Sequence, residues 1–568
     1  MSIPRAEYPN PIFERQNWLN LNGEWDFEFD FGMSGEERGM DKGVGFTKNI
    51  IVPFCPESSL SNVGYKDFMN CVWYKRTFEI PKEQLNKRTV LHFGAVDYTA
   101  VIFVNGVRVG SHSGGYTHFE FDITSYVKGG ENLLVVEAQD LTRSGAQPRG
   151  KQSDRYNSYG CSYTRTTGIW QTVWLEFVPY EYLKDIKFYP DVKNNLVGIE
   201  AFTVGEGEFS VTVSYEGRKM GKGEAISEGG QINICVPLKE SHLWELGQGR
   251  LYDVEISYGS DTVSSYFGLR SVSLKGQKFM LNGNPVFQRM VLDQGFYPDG
   301  IYTAKDEADL KKDIELSMSM GFNGARLHQK VFEPRFLYYC DKLGYMVWEE
   351  YGNWGVDMGD HETHYIYASE WEEAVSRDFN HPSIIGWCPF NEIKTNKQGA
   401  QPLPSIVEGI YKQTKLMDRT RPCIGSSGWY NIVTDIYDVH NYDQNPESLK
   451  ETYETLEEGK LKDNWAKYMQ YKGEPLFVSE YGGIRWDLDG GAQGWGYGAA
   501  PTSKDEFLKR YEGLTNVLLD NEHIMGFCYT QLYDVEQEIN GLYTYDRRAK
   551  FEPCKISEIN KRKAAIEE

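Results

Sequence analysis

A change of texture near Phe279-Met280-Leu281-Asn282-Gly283 constrains this 568-residue chain more than any other feature. Beyond it, short apolar runs alternate with helix-like stretches to the end of the chain. Eight runs read as strands: 287–291, 321–327, 345–350, 384–391, 422–427, 436–440, 476–480 and 524–530. Helical patterns separate several of them, such as 306–320 and 334–343. The first has acidic residues in its opening turn and Gly321 just past its end, the start and stop signals of a helix. Such alternation predicts a C-terminal (β/α)8 TIM barrel over residues 272–568. No repeat of about 20 to 50 residues is evident, which argues against a solenoid.

Before the change, the chain reads as strands alone. Runs 89–93, 99–104 and 133–138 are short, β-branched or aromatic, and bounded by Gly, Asn or Asp. Val104-Asn105-Gly106-Val107 carries a hairpin signal, because Asn-Gly accepts the positive φ angles of a tight primed turn. With no long helical periodicity, residues 1–181 are expected to form an N-terminal jelly-roll β-sandwich. Shorter alternating runs such as 209–215 and 251–258 extend the pattern, and an immunoglobulin-like β-sandwich is expected over 182–271. Three domains suit a chain too long for one hydrophobic core.

Charge and cysteine usage exclude several partners. A net charge of −22 and the lack of any Lys/Arg run disfavour nucleic acid. No apolar stretch is long enough to span a membrane, and Met1–Glu7 has no signal-peptide core. The nine cysteines lack CxxC or disulfide-like spacing, so a reducing, cytoplasmic setting is expected. Aromatics reach 14%, a supply that suits sugar stacking as well as sandwich cores.

In a barrel of this kind, reacting groups sit at the C-terminal ends of the strands. That rule narrows the choice among the 82 acidic residues. Glu392 ends the fourth strand and Glu480 the seventh, so rigid elements carry both carboxylates to one mouth. Glycosidic bond cleavage needs such a pair, one protonated to help the leaving oxygen and one ionised at the anomeric carbon. A separation of about 5 Å would imply retention through a covalent glycosyl-enzyme. Either residue alone is better read as a cap or an ion-pair partner; the pair together is not.

Several motifs, in order along the whole chain, resemble glycoside hydrolase family 2. They are Leu21-Asn22-Gly23-Glu24-Trp25, Trp73-Tyr74-Lys75-Arg76, Phe93-Gly94-Ala95-Val96-Asp97-Tyr98, Thr167-Gly168-Ile169-Trp170-Gln171 and the barrel approach at Phe279–Gly283. Asn391-Glu392 and Ser479-Glu480-Tyr481-Gly482-Gly483 resemble the family's two carboxylate signatures. The resemblance implies Glu392 as acid/base, Glu480 as nucleophile, and Asn391 as a partner for the substrate hydroxyl beside the anomeric carbon. Tyr442 and Tyr481 are alternatives for positioning the nucleophile. Other strand ends offer Asp293, Arg326, His328, Trp354 (a sugar platform), His440, Asn441 and Tyr529 as substrate contacts. For each of these, core packing or loop hydrogen bonding is an equal reading. Arg326 and His328 resemble the Arg-x-x-His of relatives.

The resemblance implies an exo-acting β-glycosidase; a terminal neutral sugar is expected because the family's Asn-x-Lys pair is missing here, with β-galactosides ranked first because they are common in the family. Mannoside, glucuronide and arabinopyranoside specificities are the alternatives. Glucuronidases of the family share an Asn-x-Lys pair where this chain reads Glu536-Gln537-Glu538-Ile539-Asn540-Gly541, so a sugar carboxylate is expected to be repelled there. Cys161-Ser162-Tyr163-Thr164-Arg165 stands where an Asp is common, with Asp154 nearby as a substitute. No cofactor or metal is expected. His361-Glu362-Thr363-His364 is one residue short of a zinc HExxH, and no nucleotide loop or Gly-x-Ser-x-Gly elbow occurs. A carbohydrate substrate is the expected partner, and the sequence leaves room for a homo-oligomer. The rival from another class is a catalytically idle carbohydrate-binding protein.

Overall fold

Asn105 and Gly106 both take positive φ, 53° and 77°, and Val104 pairs with Val107 across them. The hairpin they close, Thr99–Val104 with Val107–Ser113, lies at the edge of a six-stranded antiparallel sheet. A four-stranded sheet (Trp18–Asn20, Val173–Val178, Arg88–Phe93, Phe119–Asp122) faces it. Trp25, Phe27, Tyr74, Phe93, Ile102 and Leu175 from the inner faces fill the space between. A second sandwich follows, with Tyr182–Asp191, Leu196–Val204 and Gly230–Pro237 opposite a four-stranded sheet that ends at Asp261–Phe267. This computed structural model describes residues 3–395, 399–462, 468–490 and 494–567.

The C-terminal region is the TIM barrel that the strand–helix alternation predicts. Seven parallel strands pair in one curled sheet: Gln288–Asp293, Gly324–Leu327, Met346–Glu350, Ile384–Cys388, Tyr437–Asn441, Leu476–Gly482 and Ile524–Thr530. The remaining run, 422–427, is held to the fourth strand at Trp387↔Cys423 and Asn391↔Ser427 rather than by a full ladder. Its link to the sixth strand is through side chains, Ser427 Oγ donating to Asp438 Oδ2 at 2.6 Å. Helix ends follow their sequence signals. Asp306 caps Glu307–Ser319 through the Asp309 N–H, and Gly321 beyond it has φ +83°. Trp348 fills the barrel interior so closely that a Cβ at position 386 would overlap its ring, which explains Gly386.

Residues 146–165 of the first sandwich lie across the barrel mouth. The Arg149 N–H donates to Trp354 O at 2.7 Å, and Ala146 bridges to Val356. Gly150, at φ +55°, comes so near the Gln329 carbonyl that any Cβ there would overlap it.

Candidate active site

Side chains of a strand alternate between the barrel interior and the helix layer, and this parity sorts the strand-end residues. On the first strand, Gln288 accepts from Trp348 Nε1 inside the barrel, while Arg289 bonds outward to Asn560 O and Glu567. Asp293 shares the outward face of Arg289. It accepts from the Tyr533 hydroxyl at 2.5 Å, beneath Arg547 and Asp313, and burial raises its pKa to about 6. It is therefore no pocket residue; its neighbour Gln294 is, bonding Tyr163 Oη at 2.7 Å. Tyr481 and Tyr529 also point outward, Tyr481 to Thr515 at 2.9 Å and Tyr529 against Tyr511. Asn441 turns back on its own loop, accepting from the Asp443 N–H.

The inward residues converge. Arg326, fully buried, donates to Glu350 (Nε, 2.8 Å), Glu480 Oε1 (Nη1, 2.8 Å) and Asn391 Oδ1 (Nη2, 2.5 Å). The Tyr442 hydroxyl donates to the other oxygen of Glu480 and lies 3.2 Å from Thr530 Oγ1. Its ring stacks on Tyr497 with centroids 3.4 Å apart. Burial alone would raise the Glu480 pKa, but His440, Arg326, His328 and the Tyr442 hydroxyl together hold it far below the usual carboxylate range. His328, two residues after Arg326 and so on the same face of the strand, stands 2.9 Å from Glu350; burial, Lys151 and Arg326 keep it neutral.

Glu392 sits just beyond the fourth strand with φ +44°, a left-handed conformation costly for a side chain with a Cβ. His440 joins it to Glu480: Nδ1 is 2.9 Å from Glu392 Oε1 and 3.4 Å from Glu480 Oε2. Although burial opposes it, the two carboxylates raise the His440 pKa. One oxygen of each carboxylate and the imidazole nitrogen lie within 4.8 Å of one another. Asn391 Nδ2 is buried and has no acceptor among the described residues.

The rim joins two domains. The Tyr163 hydroxyl donates to Glu538 Oε2, Asn540 Nδ2 donates to Glu538 Oε1 at 3.0 Å, and Thr164 donates to Glu536 at 2.5 Å. The two segments that the sequence marks as departures thus meet each other. Asp154 instead accepts from Tyr159. Trp354 is half-buried, and the ammonium groups of Lys151 and Lys394 lie over its ring at 4.1 and 4.5 Å. Lys394 Nζ also stands 4.0 Å from Glu392. His361 and His364 flank the start of the helix Glu362–Asp378 and join no cluster with metal-ligand spacing among the described residues. Strand-end reasoning missed Gln294, Glu350 and Thr530, which parity or the same strand-end rule would have found. It also missed Lys151, for which no sequence signal exists.

Two family models match the chain: the glycosyl hydrolases family 2 sugar binding domain over residues 19–176, and the family 2 TIM barrel domain over 272–511. A β-galactosidase from Thermoanaerobacter pseudethanolicus is 27% identical over 73% of this chain, which spans 56% of that enzyme. A β-glucuronidase from Paenibacillus borealis is 26% identical over 94% of both chains. Among solved structures, an uncultured Clostridium β-glucuronidase superposes with TM-score 0.81 at 22% identity, covering 98% of this chain and all of that one. A Ruminococcus gnavus β-glucuronidase in complex with D-glucuronic acid has TM-score 0.80 at 20% identity, covering 99% of this chain and 100% of its own.

Proposed function

The chain belongs to glycosyl hydrolase family 2, and we propose that it is a retaining exo-β-glycosidase with Glu480 as nucleophile and Glu392 as acid/base. The observation that carries the roles is that Arg326 and the Tyr442 hydroxyl occupy both oxygens of Glu480 and hold it ionised, while an oxygen of Glu392 lies within 4.8 Å of it, close enough to support a covalent intermediate. Glu480, held ionised, attacks the anomeric carbon while Glu392 gives its proton to the leaving oxygen. Glu392 then takes a proton from water, whose oxygen displaces Glu480 and restores the original configuration. Asn391 Nδ2 is free for the hydroxyl beside the anomeric carbon, where a bond that tightens in the transition state accelerates the reaction. Loop 146–165 across one end of the mouth supports exo action.

For the sugar, the β-galactoside ranked first on sequence grounds gives way to a β-glucuronide. The relatives that cover nearly the whole chain at both sequence and fold level are named β-glucuronidases. The acidic stretch that argued for repulsion is occupied by its own donors, Thr164 on Glu536 and Tyr163 with Asn540 on Glu538. A panel of aryl β-glucuronide, galactoside, glucoside, mannoside and arabinopyranoside tests the reading. Highest kcat/KM on the glucuronide, with a β-anomer as the first product by NMR, is the expected result. A first-formed α-anomer would overturn the mechanism, and cleavage of none would favour the idle binding protein.

A further inference from the structure

Lys151 belongs to the first sandwich, yet its ammonium stands in the barrel mouth. Its backbone carbonyl accepts from the Tyr163 N–H at 2.7 Å, so it lies alongside the residue whose hydroxyl caps Glu538. The preceding Gly150 fits against the Gln329 carbonyl only because it lacks a Cβ, which fixes where the lysine leaves the loop. The residue is 7% exposed, and Nζ lies 4.1 Å from the centroid of the Trp354 ring. Among the described residues, neither a hydrogen-bond acceptor nor a carboxylate within ion-pair distance serves this ammonium.

A cation mostly withdrawn from water and without a protein partner gains from a compensating charge, because ions that lose part of their hydration need another charge or hydrogen bonds in its place. Other cations of the pocket are served: Arg326 by Glu350 and Glu480, His440 by Glu392. Cys161, Glu538, Glu480 and Glu392 act on Lys151 from a distance and outweigh burial, so it stays charged at neutral pH. Both oxygens of the nearest acidic segment, at Glu538, are already bonded to Tyr163 and Asn540.

We propose that Lys151 is a specificity-determining residue that pairs with the carboxylate of a terminal uronic acid, a cation supplied by the sandwich domain where the barrel stretch 536–541 has none. The assignment rests on the glycosidase reading above and sharpens its substrate class. It also explains why Gly150 and the 146–165 loop are pressed onto the barrel: the loop completes the sugar site.

The test compares wild type, Lys151→Met and Lys151→Arg on an aryl β-glucuronide over a range of pH, with thermal unfolding of each. Lys151→Met is expected to lose roughly 10²-fold or more in kcat/KM, mainly through KM, with the pH limbs of kcat/KM unmoved. Lys151→Arg should recover much of that loss, since it restores the charge. A loss under about 5-fold, or one confined to kcat with displaced pH limbs, would make Lys151 a tuner of the carboxylates and overturn the proposal. Cleavage by wild type of neutral glycosides but not the glucuronide would overturn it too, while leaving the glycosidase reading intact. Should wild type cleave nothing, calorimetric binding of D-glucuronate against D-glucose still decides. Binding of glucuronate lost in Lys151→Met supports the proposal although the catalytic reading has failed, and no preference for glucuronate overturns both.

Discussion

At the floor of the pocket Arg326 is bonded to Glu350, Glu480 and Asn391, and Glu480 is bonded on both oxygens. At the rim, Lys151 reaches in from another domain with no acceptor within bonding distance among the described residues, and Lys394 is half exposed. The floor's arginine and nucleophile are thus paired without substrate, leaving Asn391 Nδ2 for the sugar, and they are built on parallel strands whose pairing leaves each side chain one place to point. The rim is assembled from loops of two domains and holds its charge for a ligand. Bond-breaking groups pre-organised in this way cost no rearrangement during reaction, whereas selectivity needs groups left unsatisfied until the right sugar arrives.

The largest expected effect removes the floor's reacting group. Glu480→Ala should lower kcat by at least about 10⁴-fold on any glycoside the enzyme cleaves. Added azide should restore turnover and give the α-glycosyl azide, read by NMR. Full activity in that variant would break the assignment. Next comes the cation that holds the floor together. Arg326→Met leaves Glu350 and Glu480 buried without their partner, and a loss of about 3–5 kcal/mol in unfolding free energy is expected. Because Glu480 is depressed in the fold, its contribution is present at neutral pH, above its unfolded value near about 4.3, and declines as the medium becomes more acidic. Urea titrations between about pH 7 and 3 should therefore show a shallower acid decline in Arg326→Met than in wild type.

These two regions were unequally legible in the sequence. Floor residues lie on strands, and a strand end is visible from its apolar run, so Glu392, Glu480, Arg326 and Asn391 could be named before any fold was known. An apolar run shows where a strand ends but not which face its last residues take, so Asp293, Tyr481 and Tyr529 each stand one residue from a side chain that does face inward, Gln294, Glu480 and Thr530. Among the eight strand candidates only 422–427 lacks a ladder, since its contacts with the sixth strand run through Ser427 and Asp438. Of the rim, the sequence marks the segments 161–165 and 536–541 and Trp354, but not that they meet, nor that Lys151 joins them. Lys151 is remote in sequence from Glu538 and Trp354, and what joins them is the docking of one domain on another, for which local periodicity carries no signal.

Glu392→Gln separates the two steps at the floor. Hydrolysis of glycosides with poor leaving groups should fall about 10²- to 10⁴-fold, because they need the proton. Dinitrophenyl glycosides, whose leaving group departs unprotonated, should form the glycosyl-enzyme nearly as before and then accumulate it. Mass spectrometry of the trapped intermediate checks this. Equal losses on both substrates would remove Glu392 from the acid role and leave it as a holder of His440.

The smallest change addresses whether floor and rim are separable. Gly150→Ala touches no substrate-facing side chain, but it places a Cβ against the Gln329 carbonyl and asks alanine to hold φ +55°. That conformation costs about 1–2 kcal/mol, and relief requires the 146–165 loop to lift from the mouth. A shift approaching 1 Å at Lys151 should cost about 10-fold or more in kcat/KM on the preferred substrate. The floor hangs on strands that the loop does not support, so the pH limbs of kcat/KM should stay where they are in wild type. If both the rate and the limbs move, the loop helps set the carboxylates' ionisation through Lys151, and the division into a fixed floor and a selective rim fails. If only the rate moves, domain docking is what tunes this enzyme's choice of sugar, with the chemistry beneath it unchanged.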